Sequence, residues 1–293
     1  MRFLDIDMGN WGHCATSVRP GSKQFDIDLT DRQGTGIMIG LSAIYHYPVK
    51  SLSGQSLQMA DLSAGAGLPH DRQYALAPGT LQTDGTTSDW IPKNNFLVLQ
   101  KYERLAALET VFDPDTHVLT INRGGRQVAR GDLRTKIGCS LIEDFFMAFM
   151  GPETMTKRGP RIKIIRATVD QSLEDQPRRL LSIINLATVR DIERVVGSEI
   201  NPRRFRGNLY VDTGIPWQEF SWLGRELTIG NARLRIVART GRCAATHVNP
   251  TTARRDINLL KSLQQNFSHT DCGIFAEVAC NGRIAVGEPL GVP

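Results

Sequence analysis

The sequence predicts a mainly β protein with a few helices, an α+β fold, and three observations carry that expectation. Short apolar runs recur between residues 41 and 131, many of them alternating with polar residues. Strong turn signals separate them, and only three later segments change to a helical period. The first 130 residues therefore fit a small barrel or sandwich, not a βαβ array.

Residues 1 to about 37 are polar and Gly-rich with no sustained period. They read as a flexible leader, or as a stretch lying ahead of a natural start at Met38. The first convincing strand covers 39–47. Residues 57–62 and 73–76 follow as short strands. The runs 105–112 and 118–121 flank Asp113-Pro114-Asp115-Thr116, and Asn122-Arg123-Gly124-Gly125-Arg126 makes a further turn. A helix is expected over 137–150, with Leu141, Phe145, Phe146 and Phe149 on its apolar face and Gly151-Pro152 as its stop. A strand at 161–168 comes next. Asn185 is placed to cap a helix that runs to Val196 and ends at Gly197. Strands at 204–212, 225–230, 232–240, 273–280 and 282–287 complete the pattern, interrupted by a helix near 256–266.

The 41% hydrophobic and 22% charged content is that of a folded globular chain, with ample core at 293 residues. No apolar run approaches the length needed to cross a bilayer, and the acidic start does not fit a secretory signal. Cys14, Cys139, Cys243, Cys272 and Cys280 form no Cys-x-x-Cys pair and no zinc-type spacing with histidine. Such scattered thiols fit a reducing, cytoplasmic setting and argue against structural zinc.

Charge is unevenly placed. Residues 201–255 hold ten arginines and no lysine against three acids, an excess of seven, whereas the whole chain has a net charge of +5. Arginine forks suit carboxylate or phosphate. The stretch lacks a base-stacking aromatic array and any helix-turn-helix or finger pattern, so a small anionic ligand is expected in place of nucleic acid. Within it lies Cys243, flanked by Arg239 and Arg242. Nearby cations favour the thiolate, the form that ligates soft metals or attacks electrophiles. An unpaired cysteine also serves as a small buried hydrophobe, and the residues alone leave both roles open. His247 stands at a spacing compatible with an acid/base partner, although an exposed polar role is commoner. No Gly-x-Ser-x-Gly, His-Glu-x-x-His or P-loop motif is present.

Several segments together resemble one family. Tyr47-Pro48-Val49-Lys50-Ser51-Leu52-Ser53-Gly54 and Asp71-Arg72-Gln73-Tyr74-Ala75-Leu76 are similar to the opening of a MOSC N-terminal β-barrel domain. Phe205-Arg206-Gly207-Asn208-Leu209-Tyr210-Val211, Gly241-Arg242-Cys243 and Val286-Gly287-Glu288-Pro289 are similar to the MOSC domain, named for the molybdenum cofactor sulfurase C-terminus. The resemblance implies a small N-terminal β-barrel domain over 38–155 and a MOSC-type β-barrel domain over 156–293. Within the family, the mitochondrial amidoxime-reducing component is the nearest resemblance.

It implies a molybdenum cofactor (Mo-molybdopterin) with Cys243 as the protein thiolate on the metal. Lys50, Ser51 and Arg72 on one side, and Arg206, Asn208 and Arg242 on the other, are implied to hold the pterin and phosphate. Trp90-Ile91-Pro92-Lys93 stands where relatives carry Thr-Ala-Arg-Gln, with Lys93 as the substitute cation, and Phe275 stands where the amidoxime reducers have tyrosine. The implied activity is reduction of N-hydroxylated or N-oxygenated small molecules, with electrons from a separate ferredoxin- or cytochrome-like protein. The rival implication is a sulfur carrier in which a cysteine desulfurase loads Cys243 as a persulfide. Family descriptions also mention pyridoxal phosphate, for which the chain offers no recognisable site.

Overall fold

The computed structural model describes residues 40–81, 85–151, 161–168 and 170–292. The expected leader, the start at Met38 and Cys14 lie outside them. The fold is mainly β, as the patterning predicts, and the described residues include three α-helices. An eight-stranded sheet is its largest element, in the order β16-β12-β13-β14-β10-β11-β1-β2. Its strands are β1 (Gly40–His46), β2 (Gln55–Leu57), β10 (Leu181–Asn185), β11 (Leu209–Asp212), β12 (Glu226–Ile229), β13 (Ala232–Gly241), β14 (Asp271–Cys280) and β16 (Leu290–Gly291). β10 and β11 run parallel and the other pairings are antiparallel.

Alternation gives the sheet two apolar faces. Leu181, Ile183, Leu209, Val211, Leu234 and Ile274 line one core. Ile184, Tyr210 and Cys272 point the other way, where α2 (Leu186–Val196) and α3 (Leu259–Phe267) cover them. The parallel return from β10 to β11 needs a crossover, and α2 forms part of it. Asn185 starts that helix by accepting the Ala187 amide at 3.1 Å, and Gly197 ends it in the left-handed region, as expected from the sequence.

The preceding residues build the other half. β4 (Tyr74–Pro78) pairs antiparallel with β9 (Ile162–Ala167), which also pairs with β5 (Thr86–Thr87). A meander of β6 (Glu109–Phe112), β7 (Val118–Arg123) and β8 (Arg126–Asp132) packs with α1 (Lys136–Met150) around Phe112, Ile121, Ile142 and Phe146. The halves are interwoven. β1 and β2 belong to the large sheet, and β3 (Met59–Leu62) pairs with β15 (Gly282–Ala285).

Three local expectations change. α1 buries Ile142, Phe146 and Phe149, while Leu141 is 55% exposed. The packed face is set by a close approach of Gly138 to Asp132, where a side chain at 138 would strike backbone. The run 204–212 is not one strand. Pro202–Phe205 forms a 3₁₀ turn, Arg206 turns left-handed (φ 51°), and β11 begins at Leu209. Likewise 105–112 divides into a 3₁₀ turn over Glu103–Ala107 and β6.

Candidate functional site

Cys243 lies two residues past the end of β13 and directly precedes a 3₁₀ turn, Ala244–His247. Its carbonyl accepts hydrogen bonds from the Thr246 amide (3.1 Å) and the Thr246 hydroxyl (3.0 Å), which fixes the backbone and leaves the thiol free and half-buried. Arg204 supports the loop from beneath. Its nearly inaccessible guanidinium donates to the His247 carbonyl at 3.1 Å and forks onto Asp256 at 2.7 Å to each oxygen. Arg255 ties the same loop across to the first half through Ala244 O (3.2 Å), Gln100 O (2.7 Å) and Glu103 Oε2 (3.3 Å).

Two cations lie within electrostatic reach of Cys243. Arg242 is turned inward, donating to Phe205 O at 2.8 Å and to Cys272 O. Burial lowers its pKa, while the Cys272, Tyr210 and Cys243 thiols and phenol act to keep it charged. Gly273 makes that placement possible: it is left-handed (φ 78°), and a Cβ there would run into Ile183 O and stand 3.2 Å from the Arg242 guanidinium. The second cation is Lys93, from the other half. Burial opposes its charge, but Asp175 and Cys243 outweigh that and raise its pKa. Arg239 does not join them; it stacks on Phe220 with 4.3 Å between guanidinium and ring centroid.

Lys50 is buried and donates to Leu173 O at 2.7 Å and Asp175 Oδ1 at 2.6 Å; Lys93 meets Asp175 Oδ2 at 2.9 Å. Burial lowers the Lys50 pKa despite Asp175, whereas the two ammonium groups drive Asp175 far below the carboxylate range against its own burial. Ser51, left-handed at φ 71°, accepts the Leu99 amide at 3.1 Å.

Arg72 and Arg206 both pack on the Tyr47 ring, at 4.8 and 4.2 Å from its centroid. Arg72 pairs with Asp71 and donates to Arg206 O at 3.0 Å; Arg206 donates to Leu52 O at 2.7 Å. Both therefore stitch the halves together. Gly54 belongs to this arrangement, since a Cβ there would stand 2.5 Å from Tyr47 Cε1. Asn208 is fully buried, accepting the Ser182 amide at 3.0 Å and donating to Tyr45 O at 3.2 Å. Its side chain serves as a joint between β1, β10 and the 206–208 turn.

The structure thus brings Lys50, Arg72 and Arg206 into one constellation and connects it to Cys243 through Asp175 and Lys93. Much of the arginine excess is spent on carbonyls, rings and carboxylates of the protein itself, so the charge count overstated the cations left for a ligand. His247 is partly buried, with its pKa lowered by burial and by Arg255 and Arg204, and its Nε2 faces the Leu260 amide at 3.5 Å. Sequence reasoning missed Glu174 and Asp175, which lie on an irregular segment without any motif. Glu174 is buried beside Arg72, and burial pushes its pKa up to about 7.

Two family models match successive parts of the chain: the MOSC N-terminal beta barrel domain over residues 38–157 and the MOSC domain over 170–291. The chain is a MOSC-domain protein. Cys243, Arg206, Asn208 and Arg242 lie within its MOSC segment, and Lys50, Ser51, Arg72 and Lys93 within the barrel segment. Among curated relatives it is 21% identical over 239 residues to molybdenum cofactor sulfurase 2 of Aedes aegypti, covering 78% of this chain and 29% of that protein. It is 36% identical over 81 residues to molybdenum cofactor sulfurase of Danio rerio, covering 28% and 9% respectively. The MOSC-domain protein therefore spans less than a third of either relative. Solved structures similar to it include YuaD of Bacillus subtilis (12% identity, 86% and 93% coverage, TM-score 0.38) and YiiM of Geobacillus stearothermophilus (18%, 39% and 53%, TM-score 0.31).

Proposed function

We propose that this MOSC-domain protein binds the molybdenum cofactor between its two halves and reduces small N-hydroxylated or N-oxygenated molecules, drawing electrons from a separate ferredoxin- or cytochrome-like protein. The observation that carries this reading is the free, half-buried Cys243 thiol, set in a loop that Arg255 ties across to the barrel half. The residues present fit the group. A soft sulfur donor suits molybdenum, and Arg206 keeps a buried Nη2 donor that has no partner among the described residues. An unspent buried donor is costly unless something accepts from it, and an anionic pterin phosphate is a suitable acceptor.

When bound, the cofactor supplies two-electron redox chemistry, and the chain supplies position and field. Cys243 would offer its sulfur as the soft donor to the metal. Lys50, Ser51, Arg72 and Arg206 hold the anionic end, and Asn208 keeps Arg72 and β10 in register. Reducing N–OH to N–H consumes two electrons and two protons and releases water. The Glu174 carboxyl, with a pKa near 7, can hold one of those protons beside Arg72.

The test is elemental analysis of protein from a host that makes the cofactor. Stoichiometric molybdenum in the wild type and its loss in Cys243→Ser are expected. Folded wild-type protein without molybdenum or pterin overturns the proposal.

A second reading is favoured by the names of both curated relatives, molybdenum cofactor sulfurases. Here the Cys243 thiolate attacks the outer sulfur of a cysteine desulfurase persulfide, forming a Cys243 persulfide and releasing the desulfurase thiolate. A mass gain of one sulfur, absent in Cys243→Ser, identifies this route.

A further inference from the structure

The geometry points to an oxyanion clasp formed by Lys50 and Lys93, in which Asp175 is an internal stand-in that an arriving oxyanion displaces. Asp175 belongs to the segment between β9 and β10, on the MOSC side, whereas both lysines come from the barrel segment. Each carboxylate oxygen takes one ammonium, at 2.6 and 2.9 Å. That is the pattern by which two cations hold the oxygens of a phosphate or carboxylate ligand.

The exposures give the direction of exchange. The Lys50 side chain is 6% exposed, Lys93 37% and Asp175 52%. The deep cation is therefore fixed, and the carboxylate stands on the solvent side of it. Lys50 is also anchored by Leu173 O, so it keeps its place when Asp175 leaves. With Asp175 in place, its charge opposes any second anion; once it swings outward, two ammonium groups are left with nothing between them. Burying an unpaired ammonium is unfavourable, which explains why Lys50 carries an internal counter-ion. Ligand binding then opens one tie between the halves, while those made by Arg72, Arg206 and Arg255 remain.

The clasp itself does not depend on the cofactor proposal; only the source of the oxyanion, cofactor phosphate or anionic substrate, rests on it. Titration calorimetry of the full chain, made in a host without the cofactor, uses inorganic phosphate as probe. Weak binding by the wild type, at least tenfold tighter binding by Asp175→Asn, and loss of that gain in Asp175→Asn/Lys93→Gln are expected. Equal or weaker binding by Asp175→Asn overturns the clasp. Should that variant fail to fold, wild-type hydrogen exchange decides. Phosphate must speed exchange in residues 174–180, and unchanged or slowed exchange there overturns it. Repeating the titration on molybdenum-loaded protein assigns the source: lost phosphate binding means the cofactor fills the clasp, and retained binding means a separate anion does. A phosphate result without molybdenum in the protein defeats the cofactor proposal alone; the reverse outcome defeats the clasp alone.

Discussion

Arg206 packs on Tyr47, 4.2 Å from ring centre to guanidinium, although the two come from opposite halves of the chain. Arg72 packs on the same ring at 4.8 Å, so one aromatic side chain meets two guanidinium groups. Burial, aided by Arg72, lowers the Arg206 pKa, and Tyr47 and Asp71 offset part of that penalty. A lysine has no planar fork to stack here or to reach Leu52 O in the same pose. Arg206→Lys is expected to cost roughly 1–2 kcal/mol, read as a shifted urea midpoint with unchanged slope. An unshifted midpoint would mean that the Arg206 contacts contribute nothing to holding the halves together.

Thiol reactivity should separate the cysteines. Cys243 is half-buried next to Arg242 and Lys93, whereas Cys272 is fully buried and burial pushes its thiol up to about 12. Thiolate and access both govern alkylation. Limited iodoacetamide treatment followed by peptide mass spectrometry is expected to label Cys243 well before Cys272, with Cys272 reacting only on unfolding. Equal labelling in the native protein contradicts the geometry.

Glu174 sets a pH dependence of stability. Its folded pKa, about 7, lies above the ordinary 4.5 because of burial, with Asp71 adding to the rise and Arg72 opposing it. The folded state therefore holds the proton more tightly than the unfolded chain. That contribution is complete below 4.5 and is lost as pH rises through 7. Its upper size is roughly 3 kcal/mol. Glu174→Gln retains an acceptor for the Leu180 amide and cannot ionise, so its stability should flatten over that window while the wild type falls. Parallel curves for the two proteins in chemical denaturation would refute this.

His46 acts in the opposite sense. It is 2% exposed, and burial lowers its pKa against the pull of Asp71 and of a backbone hydrogen bond to Pro69. Its neutral form suits the fold, so its contribution is complete above 6.5 and is lost as pH falls below that value. His46→Leu should shrink the acid-side loss of stability, measured by thermal melts between pH 5 and 7 (an assay range of about two units).

Much of this architecture is readable in the residues where one local rule dominates. Asn185 and Gly197 frame α2 because cap chemistry needs no tertiary information. β13 is visible because its burial alternates, whereas β10, buried at every position, has no period to detect and was not anticipated. The face of α1 is legible at Phe146 and Phe149 but not at its flank, where Ile142 is buried in place of Leu141 and Gly138 approaches Asp132. In the site, Cys243 and the cations stand on short motifs, and Lys93 was recognisable as a substitute cation. Glu174 and Asp175 were not, because acids in an irregular segment acquire meaning only when the fold sets them against Arg72, Lys50 and Lys93.

Gly273 offers the most local test of how Arg242 reaches its place. The residue sits within β14 at φ 78°, opposite Ile183 O, in a conformation that an alanine adopts only with strain. An added Cβ would meet that carbonyl and crowd the guanidinium, which lies between Phe205 O and Cys272 O. Gly273→Ala is expected to cost roughly 1–3 kcal/mol. Because it displaces the side chain of the residue next to Cys243, the variant should also change the rate of Cys243 alkylation at fixed pH, whereas the control Gly224→Ala, at a left-handed turn with open space around it, should be strained without that second effect. A Gly273→Ala protein of reduced stability but unchanged Cys243 reactivity would mean that the placement of Arg242 does not bear on the thiol.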